Sequence, residues 1–256
     1  KKYDLWLMKD NCDALGSSLR GKLTGTFGAL STQSFYPPHH ITLGEGGAVN
    51  TNKPKLKTIV ESFRDWGRDC WCESGKDNTC GRRFEWELGE LPKGFDHKYI
   101  YSHIGYNLKV TDLQAAVGVA QIDKLPKFMD ARKSNHKFYM EAFKKYEEYF
   151  ILPKKEDHAD PSWFGFIITL KKNAPFTRNQ IVQHIERSKV ATRMLFGGNL
   201  TKQPAYIGKK CRIVSDLKNT DYIMKNSFWI GVYPGITEEM RSYVVDVFNE
   251  FMEKIK

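Results

Sequence analysis

The sequence predicts an α/β chain in two parts. Strand-like and helical stretches alternate from Tyr3 to Tyr149, glycine turns set them apart, and the pattern changes after Pro153. At 256 residues the chain can bury a sizeable core. Its 41% apolar and 27% charged residues place it among globular rather than disordered sequences.

Tyr3 to Met8 alternates and runs into Lys9, Asp10 and Asn11, as a buried parallel strand does where it ends at a site. Because the first residues already read as strand and no initiator Met precedes them, an N-terminal portion of the natural protein is expected upstream. Gly16 to Gly28 is turn-rich, and Ala29 to Phe35 reads as a second short strand. Thr42 to Gly47 is a glycine turn feeding a strand at Ala48 to Thr51. Leu56, Ile59, Val60 and Phe63 recur at helical spacing, which predicts an amphipathic helix over residues 54 to 67. Residues 68 to 106 read as an irregular loop with three cysteines, and loops this long inside a compact domain are usually functional.

Thr111 caps a helix through Leu125, where Pro126 breaks it before another helix to about Tyr149. Beyond a boundary near residues 150 to 160, Trp163 to Leu170 is a strand, and Thr177 to Gln180 is a capping box opening a helix to Lys189. A final helix, Glu238 to Ile255, carries Met240, Val244, Val247, Phe248 and Phe251 on one face.

The formal charge of +10 suits a pyrophosphate-bearing substrate or an acidic partner. Nucleic-acid binding needs that charge gathered in a stripe with aromatic platforms, and the sequence has no such cluster. The longest apolar stretch, Trp163 to Leu170, is too short to span a bilayer. No charged-then-apolar leader opens the sequence, so a cytoplasmic protein is expected.

Five cysteines, an odd number, argue against a disulfide framework. Cys12, Cys70, Cys72 and Cys80 read C-x57-C-x-C-x7-C, a set that can hold a [2Fe–2S] cluster or a structural zinc, and spacing alone leaves both open. Cys211 stands apart and reads as a small buried hydrophobe. If the first strand persists to Cys12, its side chain and that of Asp10 share a face, so a ligand of one sits close to a ligand of the other.

The stretch Ser34 to Gly47 reads SFYPPHHITLGEGG, and Gly105 to Gly118 reads GYNLKVTDLQAAVG. Both resemble the fold-type-I, vitamin-B6-dependent sugar aminotransferase and dehydratase family (DegT/DnrJ/EryC1/StrS), whose motif runs S-F-x-x-x-K-x-x-x-x-G-E-G-G. The resemblance extends through Phe196 to Tyr206 and Phe228 to Gly235. It implies that residues 1–150 are the C-terminal part of a cofactor-binding large domain and residues 151–256 a small α+β domain. It also implies that Ser34 binds the cofactor phosphate and Asp10 the pyridine nitrogen. Asp13 and Tyr36 join the cofactor set, and Asn107 reaches the phosphate of a neighbouring subunit in a homodimer.

The departure from the motif is His39, which stands where the family's lysine holds pyridoxal phosphate as a Schiff base. Imidazole cannot form that link, so the resting cofactor is expected to be the free amine, pyridoxamine 5′-phosphate. An imidazole can still shuttle a proton near neutral pH. This resembles the 3-dehydratase branch, and the four cysteines narrow the likeness to its iron–sulfur members in 3,6-dideoxyhexose biosynthesis. Their substrate is a CDP-linked 4-keto-6-deoxyhexose, and their partner is an NAD(P)H-dependent iron–sulfur flavoprotein reductase. Arg193 and Asn199 are expected at the nucleotide-sugar. Alternatives are the cluster-free GDP-4-keto-6-deoxymannose 3-dehydratase branch and a non-catalytic zinc-binding fragment. His40, His97, His103 and His136 read as ordinary surface or core residues.

Overall fold

The computed structural model describes residues 2–72 and 75–255. In chain order the first elements are β1 (Met8–Asp10), β2 (Ser18–Leu19), β3 (Lys22–Leu23), β4 (Leu30–Ser34), β5 (Gly47–Asn50) and α1 (Pro54–Arg64). There follow α2 (Asp112–Ile122), α3 (Leu125–Phe143), β6 (Phe150–Ile151), β7 (Ala159–Asp160), β8 (Gly165–Leu170) and α4 (Arg178–Arg187). The last four are β9 (Thr192–Met194), α5 (Lys218–Asn226), β10 (Ser227–Gly231) and α6 (Glu238–Glu253).

Two compact units result: residues 1–12 with 24–122, and residues 13–23 with 123–256. The division falls at 122–123 rather than near 150–160. The reason is α3, which packs on α6 and β8 and so belongs to the second core.

The first unit is built on a three-stranded sheet of order β1-β4-β5. β1 runs parallel to β4, pairing Met8 with Leu30 and Asp10 with Thr32, and β5 returns antiparallel, pairing Ser34 with Gly47. Gly47 is required there, because a Cβ would lie 2.7 Å from the Gln33 carbonyl oxygen. The strand expected from Tyr3 is shorter than predicted. Tyr3 to Leu7 are exposed, and their alternation is not matched by burial within this unit. α1 also ends earlier than expected. Asp65 N–H bonds back to the Glu61 and Ser62 carbonyls, and Trp66 and Gly67 then turn left-handed, with φ of 62° and 83°. At Gly67 a side chain would overlap the His103 carbonyl, so the chain can pass only as glycine.

The second unit packs helices on a four-stranded antiparallel sheet of order β6-β8-β10-β9, with a small sheet β3-β2-β7 beside it. Alternate residues of β8 and β10 point inward, so Phe166, Ile168, Phe228 and Ile230 are buried. They meet Tyr139 and Phe143 of α3, Ile181 and Ile185 of α4, and Phe248 of α6. Burying side chains of this size contributes roughly 1.5–3 kcal/mol each before entropy is counted. Thr177 forms the expected capping box with Gln180, and Thr237 caps α6.

Three expectations are corrected. Pro126 sits in the first turn of α3, where its missing N–H costs nothing. Met240 is 51% exposed, because it falls in the first turn of α6, before the helix meets the core. Cys211 is exposed rather than buried, in a segment outside the helices and strands. No described helix is long and apolar enough to cross a membrane.

Candidate cofactor and metal sites

The parallel pairing of β1 and β4 sets Asp10 beside Thr32. The Thr32 hydroxyl donates to Asp10 Oδ1 at 3.1 Å, and the Cys12 amide donates to the same oxygen at 3.2 Å. Cys12 Sγ lies 3.5 Å from the Thr32 hydroxyl, so Asp10 and Cys12 do turn to one side. The Cys12 thiol and then its amide hold the Asp10 carboxyl below the usual carboxylate range, with Thr32 and the field of His39 adding to them against burial. Asp10 is therefore ionised at neutral pH, the state that pairs with a protonated pyridine nitrogen.

Beyond β4 the chain loops back on itself, with Phe35 N–H donating to the Gly46 carbonyl and Leu43 N–H to the Phe35 carbonyl, both at 2.9 Å. This loop presents His39 half-buried, its Nδ1 3.1 Å from the Cys12 carbonyl oxygen. A carbonyl only accepts, so Nδ1 carries the proton and Nε2 is the basic nitrogen. The exposed Tyr36 ring stands edge-on to His39 at 6.2 Å. Ser34 shares the Thr32 face of β4, and its hydroxyl accepts from Tyr36 N–H at 3.3 Å. Asp10, Cys12, Ser34, Tyr36 and His39 thus belong to one end of one sheet. The neighbouring His40 is buried.

Asn107 is exposed, and its backbone bridges to Asp65 at the end of α1. No described contact joins it to Asp10 or Ser34. A cavity of about 290 Å³ lined by Gly25 to Leu30 and Asn50 to Asn52 opens at the other end of β4 from Ser34, so it does not mark this site.

The loop after α1 gathers a second group. Donor atoms of Cys70, Cys72 and His97 lie within 4.8 Å of one another. His97 Nε2 is 3.8 Å from Cys70 Sγ and 3.5 Å from Cys80 Sγ. The Thr79 hydroxyl, followed by the amide and thiol of Cys80 and the thiol of Cys70, lowers the Cys72 thiol to about 6; burial raises that of Cys70. Cys12 is not among these gathered atoms; it lies at the Asp10 site. Arg83 grips Asp96 at 2.6 and 3.0 Å, Asp96 caps the turn at residues 97–99, and Lys98 pairs with Asp77, which together fix the loop.

His97 is the residue that sequence reading missed. Its partners sit 17 and 27 positions away in a segment with no periodicity, so no local pattern could have marked it. His103 and His136 do find ordinary roles, against Ser62 and Phe63 and against Trp163 respectively.

In the second unit, Arg193 stands exposed on β9, one of its nitrogens donating to its neighbour's carbonyl, Thr192 O, at 2.8 Å. Asn199 is buried, and its amide donates to Asp221 and accepts from Thr201, capping the turn at residues 200–202. That is a structural role. Asp13 belongs to this unit as well; burial lowers the Arg132 guanidinium to about 10, and the charge of Asp13 works against that shift.

The first group fits pyridoxamine phosphate. An ionised carboxylate, a strand-end hydroxyl and an imidazole with a basic Nε2 converge, and no lysine occupies position 39. Three sulfurs and an imidazole in the loop, with one thiol already favouring thiolate, fit a thiolate-bound metal or cluster.

Comparison with known proteins agrees with the fold. The chain is 53% identical over 250 residues to the lipopolysaccharide biosynthesis protein RfbH of Salmonella typhimurium, covering 98% of this chain and 57% of that protein. It is 52% identical over 254 residues to the dTDP-4-dehydro-2,6-dideoxy-D-glucose 3-dehydratase of Saccharopolyspora spinosa, covering 99% and 55%. The chain thus spans little more than half the length of these relatives. Among solved structures, E. coli GDP-4-keto-6-deoxy-D-mannose-3-dehydratase with bound hydrated PLP superposes with a TM-score of 0.76 at 25% identity, over 95% of this chain and 60% of that one. The DegT/DnrJ/EryC1/StrS aminotransferase family model matches residues 1–249, and the chain belongs to that family.

Proposed function

We propose that the protein carrying this chain removes the C3 hydroxyl of a nucleotide-linked 4-keto-6-deoxyhexose, with pyridoxamine phosphate at the β1–β4 site and a [2Fe–2S] cluster on the cysteine loop. The observation that carries the reading is His39 at the lysine position, with its Nδ1–H donating to the Cys12 carbonyl and its Nε2 left as the basic nitrogen. When bound, the cofactor supplies an amine for the C4 ketone and a ring that withdraws electrons.

Asp10, held ionised by Cys12 and Thr32, keeps a proton on the pyridine nitrogen and so maintains that withdrawal. Ser34 anchors the phosphate from the end of β4. His39 Nε2 takes the proton that must leave before the C3 oxygen departs, and Nδ1 holds its own proton on the Cys12 carbonyl throughout. Asn107 is assigned to the partner subunit's site in a homodimer, and exposed Arg193 to the nucleotide pyrophosphate. We leave Asn199 out of the binding set, because its amide is engaged within the second unit, and retain Asp13 as a proposed cofactor residue.

Cys70, Cys72 and Cys80 are the proposed cluster ligands, and the motif resemblance adds Cys12 as the fourth. The Cys12 sulfur in this structure lies at Thr32 and Asp10 rather than with the other three, so its ligation requires it to give up that hydrogen bond. A cluster passes single electrons, which lets a flavoprotein reductase fed by NAD(P)H complete a 3-deoxygenation. CDP as the nucleotide rests on the motif resemblance, while relatives named for dTDP and GDP sugars share the frame.

The test is to load the full-length protein with pyridoxamine phosphate and supply CDP-4-keto-6-deoxyglucose. The expected result is loss of the C3 hydroxyl as water, abolished in His39→Asn. Transfer of an amino group to C4 from glutamate, with the C3 hydroxyl retained, overturns the reading. Turnover without any reductase but dependent on glutamate, with C3 deoxygenated, assigns the protein to the cluster-free dehydratases.

A further inference from the structure

We propose that His97 donates its Nε2–H to the thiolates of Cys70 and Cys80 and thereby sets the reduction potential of the cluster. The inference rests on the cluster reading above and adds a residue that the cysteine pattern does not contain. His97 is completely buried, and its Nε2 lies 3.8 Å from Cys70 Sγ and 3.5 Å from Cys80 Sγ, both within reach of an N–H···S bond.

The ring cannot swing away. Its centroid is 4.8 Å from that of Trp86, with the rings tilted by 52°, and Trp71 meets it edge-on at 6.4 Å. Its backbone N–H donates to the Arg83 carbonyl at 3.0 Å, and Arg83 in turn grips Asp96. The side chain is therefore fixed from both the ring and the chain.

Donation rather than ligation follows from the other nitrogen. Nδ1 is buried and no described protein group hydrogen-bonds to it. A histidine that ligates a metal through Nε2 carries its proton on Nδ1 and almost always donates it to a carbonyl or carboxylate. Here that proton would be a buried donor without an acceptor, whereas on Nε2 it meets two sulfurs.

The consequence is electronic. One electron added to the oxidised cluster, from a reductase flavin or from dithionite, raises the negative charge shared by the sulfurs. An N–H pointed at those sulfurs stabilises the reduced form more than the oxidised one, so it raises the potential. Cys70 and Cys80 flank Cys72, so one imidazole acts on two ligands at once. His97 is a positioning and tuning residue, because it touches the ligands and not the substrate.

The experiment is an EPR-monitored redox titration of the reconstituted full-length protein, comparing wild type with His97→Phe and His97→Gln. Phenylalanine keeps a buried ring and removes the donor, and glutamine restores an N–H near the Nε2 position. The expected result is a lower potential in His97→Phe, by about tenfold in the reduced-to-oxidised ratio at fixed potential, or about 59 mV for a one-electron couple. His97→Gln should recover most of that change.

Pulsed EPR on the reduced wild-type protein decides the matter even where a variant fails to assemble. A weakly coupled nitrogen together with an exchangeable deuteron after transfer to D2O supports the donor. A strongly coupled nitrogen means ligation, and no nitrogen coupling means no contact; either overturns the proposal. An unchanged potential in a cluster-bearing His97→Phe overturns it as well. A wild-type protein that assembles no cluster refutes the cluster reading itself, and this inference with it.

Discussion

Replacing His136 by phenylalanine isolates a single buried titration. The imidazole is 4% exposed and lies flat on Trp163, with ring centroids 3.9 Å apart and planes 4° from parallel. Burial lowers it from 6.5 to about 4. Above pH 6.5 the ring is neutral in both the folded and the unfolded chain, and it contributes no pH dependence. Between 6.5 and 4 the unfolded chain takes up a proton that the folded chain refuses, so stability falls as pH falls.

For those two values the loss between pH 7.5 and pH 5 is about 2 kcal/mol, at 1.36 kcal/mol per tenfold change in proton affinity. Phenylalanine keeps the stack on Trp163 and has no proton to take. It also removes Nε2, which has no hydrogen-bond partner among the described residues, so it should not destabilise at pH 7.5. The assay is denaturant unfolding at both pH values, followed by tryptophan fluorescence. The carboxylates common to both proteins cancel in the comparison. Wild type should lose about 2 kcal/mol more than His136→Phe on going to pH 5. Equal losses would refute the argument that burial keeps this ring neutral.

Three further outcomes follow from the packing and the sites. Asp10→Asn removes the charge proposed to face the pyridine nitrogen, so turnover should fall about 100-fold or more and pyridoxamine phosphate binding should weaken, read by kinetics and by cofactor titration. Thr177→Ala removes the α4 capping box, and thermal or denaturant unfolding should show a loss of about 1 kcal/mol. Phe248→Ala empties a position buried against Phe143, Phe150 and Phe228, and the same measurement should show a loss of about 3–5 kcal/mol.

What could be read before folding was whatever chemistry fixes at short range. Ser34, His39 and the glycines to Gly47 lie on one continuous stretch of chain joining β4 to β5, so their spacing is read directly from the sequence. The helices α1 and α6 were legible from one apolar face each, and α4 from its capping box. Tyr3 to Leu7 misled because alternation records an environment that buries one side, and these side chains are exposed within the unit described. The division of the chain was displaced because α3 is assigned by what it packs against, and its sequence is compatible with either unit. Cys70, Cys72 and Cys80 announced themselves by spacing, whereas His97 enters through the fold of an irregular loop. Asn199 looked like a binding residue by residue type, and only the hydrogen bonds to Asp221 and Thr201 show that its amide is already engaged.

The central claim joins a lysine-free cofactor site to a thiolate cluster on the loop beyond α1. Its most direct test is the ultraviolet–visible and EPR spectrum of the full-length protein after anaerobic reconstitution with iron and sulfide, beside a Cys72→Ser control. The account predicts a reducible [2Fe–2S] signal that the control lacks. A folded, cofactor-binding protein that gives no such signal, or that holds zinc in its place, contradicts it.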